Sequence, residues 1–172
     1  MLKDFIDEFE RYRLIGRKAL DQTPDSFINT AVGDGNNSIA VIVRHIGGNL
    51  VSRFSDFLTT DGEKPWRDRD SEFEERTYTR AEMNEWWDKG WHALSTELGK
   101  LAESDLSRQV TIRGQVFTVH EALSRAVAHL SYHVGQIVIL ARMAKGNDWQ
   151  WITVPRGKSK EYNLNPTKEK KP

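Results

Sequence analysis

The stretch Thr118–Gly146, TVHEALSRAVAHLSYHVGQIVILARMAKG, decides the fold. It opens on Thr118-Val-His-Glu121, a capping box in which a hydroxyl and a carboxylate reciprocally satisfy the exposed N–H groups of a helix start. An apolar pattern at three- and four-residue steps then persists to about Ala144, and Gly146 is well placed to end the helix.

Three further segments carry the same periodicity. The first runs from about Leu2 to Leu20, with Leu2, Phe5, Phe9, Tyr12, Gly16 and Ala19 on one face, and Thr23-Pro24-Asp25 breaks it. The second runs from about Ser38 to Leu58, with Asn37 or Ser38 as its cap and a stripe of Ile39, Ile42, Ile46, Leu50 and Phe57. The third opens at a second capping box, Thr79-Arg-Ala-Glu82, and continues through Met83, Trp87, Trp91, Leu94, Leu98 and Leu101. Four long amphipathic helices predict an all-α four-helix bundle.

The connections are also informative. TTDGEKPWRDRDSEFEER, residues 59–76, is too long for a structureless link in a compact domain, so an ordered loop across one end of the bundle is expected. VTIRGQVFTV, residues 110–119, reads as a short β-hairpin turning at Arg113-Gly114, just before the last helix. WQWITVPRGKSKEYN, residues 149–163, reads as an extended aromatic segment lying against the helices. Its Gly-Lys-Ser is no phosphate-binding loop, because Ile152 stands where that motif needs glycine. Residues 1–165 are expected to form one domain, and 166–172 a flexible polar tail.

Composition narrows the function classes. The chain has 172 residues, 25 basic and 25 acidic, for a formal net charge of zero. That balance lacks the basic excess of a nucleic-acid binder. No run approaches the roughly 18 apolar residues of a membrane span, and the charged start MLKDFIDEFERYR does not resemble a signal peptide. A cytoplasmic protein is expected. There is no cysteine, which excludes disulfides, a cysteine nucleophile and a thiolate metal site.

The five histidines sort by helix geometry. His129 and His133 stand roughly 40° apart on one helix, in the sector of Ala122, Ala126, Leu130 and Ile137, so both imidazoles can reach one ion. Their spacing is half of a zinc-protease motif, but Leu130 occupies the place of that motif's general base. His45 sits at the polar edge of the second helix, near Ser38, Asn49, Ser52 and Asp56. His92 falls off its helix's stripe, and His120 is half a turn from His129. No glutamate stands three residues before any histidine, which disfavours a di-iron carboxylate site. Asn49 and Gln136 are candidates to orient a ligand's second nitrogen. Arg156 and Lys158 are candidates to contact an anionic substrate if the C-terminal segment folds over the site.

The histidine early in the second helix, in VRHIGGNL, and the pair in AHLSYHVGQI resemble the DinB-like superfamily of four-helix-bundle metalloenzymes, which includes YfiT. The strings TIRGQVFTVHEALSRAVAHLSYHVGQI and WITVPRGKSKEYN resemble one poorly characterised subgroup of it. The resemblance covers most of the chain. It implies a divalent metal, zinc or nickel, held by His45, His129 and His133 at an open end of the bundle, and a homodimer. Some members use a low-molecular-weight thiol in transferase or isomerase reactions, so a metal-dependent thiol S-transferase acting on a small molecule is the leading expectation. The alternatives are a non-catalytic homodimeric binding protein and a metal-dependent hydrolase.

Overall fold

The computed structural model of the protein describes residues 1–74 and 76–166; the polar tail expected from residue 166 lies, from residue 167 on, outside the described residues. Four long helices carry the fold: α1 (Leu2–Gln22), α2 (Ile39–Phe54), α3 (Arg80–Leu98) and α4 (Val119–Lys145). A two-stranded antiparallel hairpin, β1 (Gln109–Ile112) and β2 (Gln115–Thr118), precedes α4. A short helix, α5 (Ser159–Asn163), follows it. The protein is an all-α helical bundle.

The helix starts follow from their caps. The Ser38 hydroxyl accepts from the Val41 N–H at 3.3 Å, which makes Ser38 and not Asn37 the cap of α2. Both capping boxes form: Glu82 accepts from the backbone N–H of Thr79 at 2.8 Å, and Glu121 from that of Thr118 at 2.7 Å. Gly146, at φ 58°, closes α4 in a conformation that costs a glycine little.

Packing pairs α2 chiefly with α3 and α1 chiefly with α4, and α2 and α4 also touch. The α2–α3 crossing depends on bare backbone at both partners. A Cβ on Gly90 would stand 2.8 Å from the Gly47 Cα, and one on Gly47 would stand 2.5 Å from the Trp86 carbonyl oxygen. Trp87, Phe54, Leu50, Ile46, Leu123, Leu130 and Ile137 fill the space between the helices and are essentially inaccessible to solvent.

Three expectations need adjustment. α2 stops at Phe54 rather than near Leu58. The Ser55 hydroxyl bonds back to the Val51 carbonyl at 2.7 Å and Asp56 takes φ 50°, so the chain turns there, and Phe57 reaches the core from the turn. α3 stops at Leu98 with Gly99 as its cap, before Leu101. The C-terminal segment is not extended throughout, because α5 interrupts it; its start is tied down by Gln22, which accepts from the Gln150 N–H at 2.7 Å.

The long α2–α3 connection is ordered. The Asp61 carboxylate accepts from the backbone N–H groups of Glu63 at 2.7 Å, Arg113 at 2.8 Å and Gly114 at 2.8 Å, which joins the loop to the hairpin turn. That turn has positive φ at both central residues, Arg113 at 55° and Gly114 at 70°, as a two-residue hairpin loop requires. At the loop's other end the Asn29 amide exchanges two hydrogen bonds with the Tyr78 backbone, each 2.9 Å. Between these anchors a single 3-10 turn, Asp70–Phe73, carries Glu72 inward.

Burial tends to raise the Asp61 pKa, but the three backbone N–H groups outweigh it and hold the pKa at about 2, below the ordinary 3.8. A depressed carboxylate contributes stability that is present above its unfolded pKa and lost as pH falls through its folded one. Asp61→Ala is therefore expected to destabilise the protein by about 1–3 kcal/mol at pH 7, with roughly half of that gap remaining at pH 3. Urea unfolding of both proteins at the two pH values checks this, and an unchanged gap at pH 3 contradicts it.

Candidate metal centre

The fold brings His45 from α2 together with His129 and His133 from α4. One nitrogen of each lies within 4.8 Å of the others, a group that could hold a metal ion. The His45 and His129 Nε2 atoms are 3.2 Å apart. Two nitrogens each bound at tetrahedral zinc distance stand about 3.3 Å apart, so that edge already has the size an ion needs. His45 is buried and the other two are half-buried.

The remaining ring nitrogens fix the tautomers. His45 Nδ1 lies 2.8 Å from Glu72 Oε2. An ionised carboxylate can only accept, so Nδ1 carries the proton, and in the neutral ring Nε2 presents a bare lone pair to the other histidines. His133 Nδ1 lies 2.8 Å from the Gln136 amide oxygen, and the Gln136 amide nitrogen donates to the Tyr132 hydroxyl at 3.4 Å. That second bond orients the amide, so His133 also donates from Nδ1 and frees Nε2.

Electrostatics act in the same direction. Burial, with smaller repulsions from His133 and His45, lowers the His129 pKa from 6.5 to about 3. Burial also lowers that of His133, against the hydrogen bond to Gln136. Both imidazoles are therefore neutral at pH 7, the state in which a histidine binds metal.

Glu72 is the residue that sequence reasoning missed. Its side chain is 1 % exposed. Burial tends to raise its pKa, but hydrogen bonds from His45 and Arg67 prevail and lower it. Arg67 grips both carboxylate oxygens, from Nε and Nη2, at 2.9 Å each. The carboxylate sits directly over Gly48, where any Cβ would overlap Oε1. Nothing in the charge-rich RDRDSEFEER marks Glu72 among its neighbours. The usable signal is chemical: an imidazole ligand needs an acceptor behind it, α2 carries no acid, and Glu121 on α4 is engaged in its capping box.

The other candidates separate clearly. Gln136 takes the orienting role expected of it, whereas Glu72, not Asn49, supports His45. Asn49 lines a cavity of about 410 Å³ beside His45 and His129. Arg156 and Lys158 do not line that cavity; both are exposed, and Lys158 pairs with Glu161 at 2.8 Å. Asp56 lies beyond the end of α2 and is exposed. His92 is exposed, as expected, and His120 packs edge-on against Phe5, ring centroids 5.3 Å apart.

If Glu72 sets the tautomer of His45, Glu72→Gln should weaken zinc affinity about 10–100-fold. Gly48→Ala, which pushes the carboxylate off its seat, should act in the same direction. Chelator competition on the folded variants measures both, and wild-type affinity in the two would contradict the role.

Among the described residues no helix is long and apolar enough to cross a membrane. No curated protein matches the chain. The family described as "Protein of unknown function (DUF1572)" matches residues 1–158. With that match spanning nearly all of the sequence, and including all three histidines, the chain belongs to the DUF1572 family.

Proposed function

We propose that the chain is a divalent-metal-binding protein of the DinB-like superfamily, with His45, His129 and His133 as ligands to zinc or nickel. The observation that carries this reading is the pair of orienting acceptors, Glu72 on His45 and Gln136 on His133, which leave Nε2 of both rings unprotonated in a cluster where one nitrogen of each of three histidines lies within 4.8 Å of the others. Any buried imidazole takes such a partner; the added weight here comes from the third histidine nitrogen, within that distance of the other two. Three neutral imidazoles leave at least one coordination position open. When bound, the ion supplies Lewis acidity and lowers the pKa of a thiol or water entering that position.

Within this reading the reaction is S-transfer from a low-molecular-weight thiol to a small electrophile. The thiol loses its proton to solvent, its sulfur forms the new bond, and the leaving group departs with the bonding pair. Two features support a nucleophile brought from outside. The chain has no cysteine. Among the described residues lining the cavity there is no Asp or Glu to act as a base for hydrolysis. Glu72 is not available for that task, since its oxygens are engaged by His45 and Arg67.

Protein purified without a histidine tag should carry about one metal equivalent, and His45→Ala or His129→Ala should carry less than about 0.1. A panel of small thiols with a model electrophile should show turnover above the His129→Ala control. Metal-free wild type that takes up none on reconstitution ends the metal reading; full metal loading without thiol turnover ends only the transferase reading.

A homodimer is part of the proposal. Exposed Tyr132, Ile139 and Met143 fall within roughly 40° of one another on α4, an apolar stripe suited to a second copy. The same stripe also favours the non-catalytic homodimeric reading. Ile139→Lys with Met143→Lys should halve the mass seen in sedimentation, and an unchanged mass, whether monomeric or dimeric in both proteins, contradicts this interface.

A further inference from the structure

The cavity beside His45 and His129 is cationic out of proportion to the neutral chain. Arg53, Arg67, Arg69, Arg113 and Arg125 all line it. Two carboxylates reach into this set. Glu63 takes Arg53 and Arg113, and Glu72 takes Arg67 while also serving His45. Asp70 stands 3.8 Å from Arg69 but is 98 % exposed, so water screens that pair. Arg125 has only a ring contact, 5.9 Å from the Phe117 centroid, and no ion pair among the described residues. Five guanidinium groups thus face two firmly held carboxylates.

Arg53 and Arg113 have a structural task, since through Glu63 and Gly62 they hold the loop to the hairpin. Arg67 is different. Its side chain is 2 % exposed, two of its nitrogens bind Glu72, and the third, Nη1, is buried with no hydrogen-bond partner among the described residues. A buried charged donor without an acceptor is unfavourable, and native proteins rarely keep one unless something supplies the acceptor. Guanidinium forks match the paired oxygens of carboxylates and phosphates. At about 410 Å³ the cavity is of small-molecule size.

We propose that this cavity receives an oxyanion, a carboxylate or phosphate group, of a small-molecule substrate, bound by Arg67, Arg69 and Arg125 next to His45 and His129. That the bound molecule is a substrate rests on the metal reading above; anion binding itself stands on the arginines. It places the anionic end of the molecule against the loop and hairpin, and leaves its other end facing His45 and His129.

The test is calorimetric titration of the full chain, zinc-loaded and metal-free, with succinate, inorganic phosphate and the neutral isostere succinamide. At least one of the two anions should bind at least about tenfold more tightly than succinamide in both forms, and the tighter of the two identifies the group. The double variant Arg69→Met/Arg125→Met, at two exposed positions, should keep its melting temperature and lose at least about tenfold in anion affinity. Anions that bind no better than succinamide overturn the proposal. So does wild-type anion affinity in the double variant, or binding that needs zinc and ignores the arginines. Anion binding in a protein that takes up no zinc defeats the metal reading alone, whereas zinc uptake without anion binding defeats this proposal alone.

Discussion

The site depends on one buried carboxylate. Taking Glu72 out of water costs several kcal/mol, and the structure offsets that with the two-pronged grip of Arg67 and the N–H of His45. The consequences spread in three directions. His45 is locked in the tautomer that exposes Nε2 toward α4. Gly48 has to remain without a side chain, because the carboxylate occupies that space. The long loop must be ordered, since its one 3-10 turn delivers Glu72 to the bundle. A surface acid at this position would leave His45 free to choose its tautomer; a buried acid without Arg67 would favour its protonated form and weaken its hold on the ring.

Around that carboxylate the chemistry divides into two zones. On α4 the His129 and His133 rings are kept neutral chiefly by burial, with smaller repulsions from His133 and His45 on His129 and from His45 on His133. Next to them, arginines surround a cavity whose described lining contains no acid. The combination suits a site that gathers negative charge from its visitors. On the reading proposed above, neutral imidazole ligands would preserve the full charge of an ion, the arginines would attract oxyanions, and the base or nucleophile would arrive with the substrate. The equality of acidic and basic residues over the whole chain conceals this local imbalance.

Much of this was legible in the sequence. Both capping boxes, the hairpin turn at Arg113-Gly114 and the convergence of His129 and His133 follow from short-range rules of spacing, and the structure reproduces them. The edge of an apolar stripe marked His45 only as part of a polar seam, and its place with the pair came from the resemblance that VRHIGGNL carries. What could not be read were contacts made across distance. Glu72 meets His45 over 27 positions of sequence, from a loop in which acids and arginines alternate without period. The paired glycines of VRHIGGNL gave no sign that one admits α3 and the other a carboxylate. The early end of α2 turned on a local competition, in which the Ser55 hydroxyl bonds back to the helix as the chain turns at Asp56.

The central claim is that His45, His129 and His133 bind one ion while Glu72 and Gln136 hold the rings of His45 and His133. Metal K-edge X-ray absorption on reconstituted, untagged protein tests it most directly. The account predicts three nitrogen donors at about 2.0–2.1 Å with outer-shell scattering from three imidazoles, one of which is lost in His45→Ala. An all-oxygen first coordination sphere, or a spectrum unchanged in that variant, would contradict it.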